Sequence, residues 1–408
     1  MQEKQVQRKF EHDIEAALEA RTSRACVFMP SGRFAMHVAF RLLLSPGDRV
    51  LMSPLEDDTV FVGALAAGLR PVMAPVSPDD GNACFEAVDD DTWSSIAAVL
   101  TGNTYGLPDR VAELKARCDQ LGIPLIEDAA HALETEVGGC PIGSFGAVSV
   151  FSLSKHIPGR GGVLSLEEGL DRRQVERLRN ELTLPISAIR RALRVVRPAA
   201  RSSLEVLHLM RAVDRARRLT RPVRSRAWRV PLRAPQLEEA VSGNDLGAFD
   251  PWMETAYADY RMQQRAGALK KTVASLRALK RDRAQRIEGV LRLRELDAVA
   301  PAAREGAPLP LLRVPFLIEN RDDVAMELRR RGINVYYVYA PPLDDYFGPD
   351  FAEPSPDPEA ARWWATHALP IDPHDAERVL DLVTTNEVQL EPAALPAHLA
   401  RAQPLRIS

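Results

Sequence analysis

Apolar positions along the chain follow two alternating periods. Short runs rich in β-branched and other apolar residues, bounded by Gly, Pro or Asp, fall at Cys26–Met29, Arg49–Met52, Pro71–Pro75, Ala97–Leu100, Pro124–Glu127, Ala147–Ser152 and Gly162–Leu166. Each predicts a strand. Between them, Gly32–Leu44, Thr59–Ala67 and Asp109–Leu121 have the length and spacing of helices. The alternation predicts an α/β fold, a large domain with a mostly parallel sheet flanked by helices. In such folds the ligand chemistry sits in the turns after the carboxyl ends of the strands.

The rhythm breaks after residue 166. Leu182–Pro185 leads into helical stretches at Ser187–Val196 and Ser202–Thr220, and a long helical pattern returns from Met253 to Leu296. Beyond Leu311 a smaller α/β unit is predicted, with strand Leu312–Ile318, helix Asp322–Arg331, strand Asn334–Tyr339 and helix Ala376–Thr385. The resulting division is a large domain over 1–252 that carries an insertion at 185–235, a long helix and small C-terminal domain over 253–386, and a loosely ordered Pro- and Ala-rich tail over 387–408.

Charge changes this picture in one place. The 408 residues hold 53 Lys and Arg against 56 Asp and Glu, a net charge of −3 that argues against a nucleic-acid binder. Yet Pro185–Pro235 contains fourteen Arg and only Glu205 and Asp214 as acids, giving +12 and leaving −15 for the rest. Three readings of this segment stay open. It is a solvated helical hairpin paired with the acidic body, an interfacial helix dipping Leu204, Leu207, Met210 and Val213 into anionic lipid, or a docking arm for an acidic partner or polyanionic substrate. Trp228 is its one aromatic residue, which disfavours single-stranded nucleic acid.

Met1–Ala20 lacks an uninterrupted apolar core, and Val60–Leu69 falls short of the about twenty residues needed to span a bilayer. Cys26, Cys84, Cys118 and Cys140 are scattered without a C-x-x-C pair. A cytoplasmic protein with reduced structural thiols and no metal site is expected.

Three turns carry candidate chemistry. Ser31-Gly32-Arg33 opens a helix, where backbone N–H groups and the dipole suit a phosphate; any capped helix start looks the same. Glu127-Asp128-Ala129-Ala130-His131 ends a strand, and a carboxylate there can hold a ring nitrogen protonated; an isolated Asp in that place equally caps the next segment. Ser152-Leu153-Ser154-Lys155-His156, followed by Gly159-Arg160-Gly161-Gly162, puts a lysine directly after an apolar strand, where a dry cleft would free its amine for imine formation. Ser152 and Ser154 add hydroxyls for a phosphate, and a solvated strand-end lysine is the plain alternative.

Taken together and in order, these elements resemble the DegT/DnrJ/EryC1/StrS family of pyridoxal-phosphate-dependent sugar aminotransferases. Ala258-Asp259-Tyr260-Arg261-Met262-Gln263, Arg330-Arg331-Gly332-Ile333, Tyr339-Ala340-Pro341-Pro342-Leu343 and Ala368-Leu369-Pro370-Ile371 continue the likeness downstream. The resemblance implies a fold-type-I architecture, pyridoxal 5'-phosphate as cofactor, and transfer of an amino group, by analogy from glutamate, to a keto-sugar or related cyclic ketone. It implies that Lys155 is the Schiff-base lysine and proton shuttle, that Asp128 pairs with the pyridinium nitrogen, and that His131 lies near the ring oxygen. Ser31, Gly32, Arg33 and Ser152 would hold the phosphate, and Asp259 would complete the site across a homodimer interface. Glu56, Asp57, Asn103 and Tyr339 are candidate substrate contacts.

The chain departs from the family pattern at several of these places. Arg33 replaces a common Thr, Glu56 or Asp57 stands where an aromatic ring would stack on the cofactor, Asp259 replaces Asn, and Asp344 replaces His. The spacing from Ser152 to Lys155 is also short. These departures keep open a different reaction on the same cofactor, elimination or decarboxylation, and a non-catalytic role in scaffolding a partner or membrane.

Overall fold

The computed structural model describes residues 2–185, 234–243, 246–253 and 259–400. The arginine-rich helices expected at 187–196 and 202–220 lie outside them. All seven predicted strands enter one sheet. They are β1 (Ala25–Met29), β2 (Arg49–Met52), β3 (Arg70–Met73), β4 (Ala98–Thr101), β5 (Leu125–Asp128), β8 (Val148–Ser152) and β9 (Gly162–Leu166), with β6 (Glu136–Val137) and β7 (Cys140–Pro141) forming a separate small hairpin. The order is β1-β9-β8-β5-β4-β2-β3. From β3 to β8 every pairing is parallel, and β9 runs antiparallel between β8 and β1. β4 and β5 are buried at every residue, as strands covered on both faces must be.

Both sheet edges are covered. Along β1 lies α1 (Gln2–Thr22), whose Glu15 and Glu19 carboxylates accept from the N–H groups of Phe28 and Cys26 at 2.8 and 3.1 Å. Arg172 then pairs with both acids. At the opposite edge Met73 N–H donates to the carbonyl of Glu353, and Glu353 N–H to that of Pro71. Strand edges that would otherwise seek another chain are thereby satisfied. On one face α2 (Gly32–Leu43) and α3 (Asp58–Ala66) bury Phe34, Phe40 and Phe61 completely. Each such ring contributes about 1.5–3 kcal/mol of hydrophobic stabilisation.

In the C-terminal part β10 (Val314–Leu317) pairs antiparallel with β11 (Ala368–Ile371), flanked by helices Leu279–Leu293, Arg321–Arg330 and Ala376–Thr384. Three expectations fail here. The predicted strand Asn334–Tyr339 is irregular: Arg329 Nε donates to the Val335 carbonyl in place of a ladder partner, and Tyr339 turns to a φ of 61°. Within the helical pattern expected from Met253, the described residues Asp259–Arg265 are not α-helical, because Tyr260 and Arg261 are bound to the Asp250 carboxylate and Met262 bridges to Leu184; helix runs from Ala266 and is interrupted at Arg277–Ala278, and residues 254–258 lie outside the described residues. The tail is ordered through 400: Glu319 N–H donates to the Glu391 carbonyl, Ala393 N–H to that of Leu317, and Leu399 is buried. Those bonds satisfy the Leu317 carbonyl and the chain just past β10, whose free side is otherwise met by Ala298–Ala300. No described helix is long and apolar enough to cross a membrane.

Candidate active site

The carboxyl ends of β2, β4, β5 and β8 converge on one pocket with the N-terminus of α2. Gly32, Arg33 and Ser152 line one side, Asp128, His131 and Lys155 another, and Glu56, Asp57 and Tyr339 face them. A second cleft, of about 420 Å³ and lined by Asp79, Asp80, Glu86 and Asp109, contains no lysine and none of the predicted site residues.

The α2 end is built for close approach. Ser31 caps the helix: its Oγ accepts from Phe34 N–H at 3.2 Å and donates to the Tyr260 carbonyl at 2.7 Å. That hydroxyl is committed to the turn and does not line the pocket, which corrects its predicted phosphate role. Gly32 does line it. A Cβ there would sit 2.6 Å from that of Ser152, so only glycine lets the helix start abut the end of β8. Gly162 is equally constrained, since its Cβ would fall 2.6 Å from the Gly32 nitrogen. Arg33 lines the pocket too, with Nη1 donating to the Met253 carbonyl at 2.7 Å.

Lys155 lies in a short helix, Leu153–His156, directly after β8. Its Nζ is 4.0 Å from Asp57 Oδ2, and the side chains are 37% and 36% exposed. The lysine thus stands at the open rim instead of in the dry cleft expected from its apolar strand. Asp57 also caps α3, with Oδ1 accepting from Thr59 N–H and Oγ1 at 2.8 and 2.6 Å. Burial disfavours its charge, but Lys155, Arg33 and the Thr59 bonds outweigh burial and hold the carboxyl well below the usual carboxylate range.

Asp128 ends β5, 5% exposed, with Oδ1 accepting from Ala130 N–H at 2.7 Å. Burial, reinforced by the charges of Asp57 and Glu127, pushes its pKa up to about 7 against the opposing effects of Ala130 N–H and Lys155. His131 is buried and hydrogen-bonded through Nδ1 to Tyr339 Oη at 3.0 Å. Burial first, then the charges of Lys155 and His156, holds its imidazole neutral. Tyr339 packs edge-on against Tyr105, 5.4 Å between centroids, which closes that wall.

Asn103 does not reach the pocket. Fully buried and in the left-handed region at φ 44°, it donates from Nδ2 to the Asp128 carbonyl at 2.8 Å and accepts at Oδ1 from Asp109 N–H. It props the end of β5 and has no amide group left for a substrate. Asp259 opens the turn Asp259–Arg261, whose Tyr260 carbonyl meets Ser31; its side chain is outside the described residues.

Sequence reasoning missed Glu127, which points from the opposite face of β5. Its carboxylate accepts from the N–H groups of Gly143, Phe145 and Gly146 and from Ser149 Oγ, at 2.8 to 3.2 Å. An acid beside Asp128 inside an apolar strand was the available signal. Thr59 and Gly102 also line the pocket unpredicted.

These residues suit pyridoxal phosphate: a helix N-terminus, an arginine and a serine for the phosphate, an acid for the ring nitrogen, and a lysine within the same cavity. Comparisons with known proteins agree on the class. The sequence matches the DegT/DnrJ/EryC1/StrS aminotransferase family over residues 2–182. It is 30% identical to GDP-perosamine synthase of Vibrio cholerae over 155 residues, 37% of this chain and 42% of that protein. It is 30% identical to dTDP-4-dehydro-2,3,6-trideoxy-D-glucose 4-aminotransferase of Saccharopolyspora spinosa over 141 residues, 34% and 37% of the two chains. The chain thus spans about two fifths of the length of these curated relatives. The fold extends further. E. coli GDP-4-keto-6-deoxy-D-mannose-3-dehydratase with bound hydrated PLP superposes with a TM-score of 0.63 at 15% identity, covering 91% of this chain and 90% of that one. DesI, solved in the presence of its TDP-sugar product, gives 0.61 at 20% identity, covering 93% and 85%. Over residues 2–182, therefore, this chain is similar to the DegT/DnrJ/EryC1/StrS aminotransferase family.

Proposed function

We propose that the protein is a pyridoxal-phosphate-dependent aminotransferase that moves an amino group from an amino acid, glutamate by analogy, to a keto-sugar or related cyclic ketone. The observation that carries this reading is the convergence of Lys155, Asp128, Ser152 and the α2 N-terminus on one pocket at the strand ends. The names of the matching relatives, a perosamine synthase and a keto-sugar aminotransferase, supply the acceptor class.

When bound, the cofactor supplies an electron sink for the pair released as the substrate's Cα–H bond breaks. In this reading Lys155 Nζ takes the proton from that carbon and later returns one. Asp128 holds the ring nitrogen protonated, and Gly32, Arg33 and Ser152 bind the phosphate. His131, fixed by Tyr339, orients the ring oxygen. Asp57 balances the Lys155 charge until the cofactor arrives.

The working unit is read as a homodimer in which Asp259 completes the neighbouring pocket, in keeping with the twofold symmetry common among soluble oligomers. The +12 segment at 185–235 is read as a contact for an anionic membrane surface or an acidic partner; liposome flotation with and without it separates the two, and equal partitioning removes the membrane reading. For the enzyme reading, glutamate and a nucleotide-linked keto-sugar should yield 2-oxoglutarate and amino-sugar with the wild type and not with Lys155→Ala. Equal yields from the two proteins would sink it.

A further inference from the structure

Next to Asp57 the chain places a second acid whose environment is opposite. Glu56 is 4% exposed, and its Oε1 accepts from Asp57 N–H at 2.7 Å. Its Oε2 is buried without a hydrogen-bond partner. That oxygen lies over Gly102, where a Cβ would come within 3.1 Å of it, and both residues line the active-site pocket. Two features therefore mark Glu56: a buried oxygen without a partner on a residue that lines the pocket, and a glycine whose missing side chain makes room for that oxygen.

The charges around it come from four elements. Asp57 precedes α3, Asp128 ends β5, Asp109 follows β4, and the Tyr339 phenol faces it from the C-terminal part. The cations of the pocket, Lys155 and Arg33, act on Asp57, and no ion pair ties either of them to Glu56 among the described residues. A carboxylate here would be buried among three other acids with one oxygen unsolvated, a costly arrangement. Burial, reinforced by Asp128 and then by Asp57 and Asp109, holds the Glu56 carboxyl well above the usual range. Since Oε1 is already accepting from an N–H, the acid's proton belongs on Oε2. Two neighbouring carboxyls pushed in opposite directions are how a site separates an anion from a proton-bearing donor.

We propose that Glu56 stands in the pocket as an uncharged carboxylic acid and donates a hydrogen bond from Oε2 to an acceptor oxygen of the molecule bound between Lys155 and Asp128. This deepens the aminotransferase reading and rests on it for the identity of the ligand: the acceptor is the ring oxygen of pyridoxal phosphate or a carbonyl or hydroxyl oxygen of the keto-sugar. It also explains why two successive acids are tolerated where an aromatic ring was expected at one or the other, since a neutral donor adds no charge to a cavity that already holds Asp57 and Asp128.

The test has one arm that needs no cofactor. Infrared difference spectra of apo wild type against Glu56→Gln at pH 7.5 should show the C=O stretch of a protonated carboxyl, shifted in D2O and absent in the variant. Loss of carboxylate bands instead would overturn the proposal. In the second arm, PLP is titrated into wild type, Glu56→Gln and Glu56→Leu, each checked for folding by circular dichroism, and the KM for the keto-sugar is measured. Gln keeps an N–H donor, so it should stay within a few-fold of wild type while Leu loses tenfold or more. A loss in PLP affinity assigns the acceptor to the cofactor, and a loss confined to KM assigns it to the sugar. Gln as poor as Leu in both, or Leu equal to wild type in both, would overturn the donor role. If the wild type binds no PLP, the aminotransferase reading fails, and the infrared arm alone decides Glu56.

Discussion

The Lys155 ammonium and the Asp57 carboxylate stand 4.0 Å apart at the mouth of the pocket. One of the two positions where a stacking ring was expected, Glu56 or Asp57, thus carries a counter-charge. Both side chains keep more than a third of their surface, so the pair contributes under about 1 kcal/mol to folding. Asp57→Asn retains a good helix cap and should leave the thermal midpoint nearly unchanged. It removes the carboxylate that Nζ must leave before it can react, so the variant should react with PLP several-fold faster at pH 7 in stopped-flow absorbance. Unchanged or slower capture would show that Asp57 does not govern the lysine.

Asp128 makes the apoprotein's stability fall with pH. Its carboxyl titrates at about 7 in the folded chain and at the ordinary carboxylate value when unfolded, so between those values only the folded state holds the proton. Stability is therefore lost as pH rises from about 4 to about 7, by of order 2–4 kcal/mol. Asp128→Asn should be more stable than wild type at pH 8 in urea unfolding, with the gap closing towards pH 4, while binding PLP more weakly. A variant less stable than wild type at pH 8 would contradict this origin of the shift.

Glu127 is a structural acid. Its removal leaves the donors of Gly143, Phe145, Gly146 and Ser149 facing a void. Glu127→Ala should cost roughly 3–5 kcal/mol, since each stranded buried donor costs about 1–3 kcal/mol before water and rearrangement recover part of it. Chemical denaturation reads this directly, and a cost under about 1 kcal/mol would mean the loop finds other partners.

His374 acts in the opposite pH direction. Hydrogen bonds to Asp282 and Asp372 raise its pKa to about 9, so its contribution is fully present below about 6.5 and is lost as pH rises through about 9. The imidazole is 36% exposed, and solvent screening limits the contribution to about 1 kcal/mol. His374→Gln should lower the thermal midpoint at pH 6 and match wild type at pH 10.

The sheet was legible because each strand is a short apolar run closed by Gly, Pro or Asp, and burial on both faces demands that composition. That Lys155, Asp128 and His131 lie around one pocket was legible because that pocket occupies the turns after those strands. Asn334–Tyr339 was misread because its aromatics have strand character, whereas a side chain, Arg329, takes the Val335 carbonyl that a ladder would need. Ser31 and Asn103 were assigned to ligands because sequence shows a residue's donors but not the backbone groups that consume them. The order of residues 387–400 depends on bonds to the chain around β10, far away in sequence.

The central claim is that Lys155 and Asp128 form a working pyridoxal-phosphate site, and the visible absorbance of the PLP-loaded protein tests it most directly. Wild type should gain a cofactor band that glutamate removes and a nucleotide-linked keto-sugar restores, and Lys155→Ala should never develop it. A wild-type protein that takes up no PLP, or whose band glutamate leaves unchanged, would contradict the account.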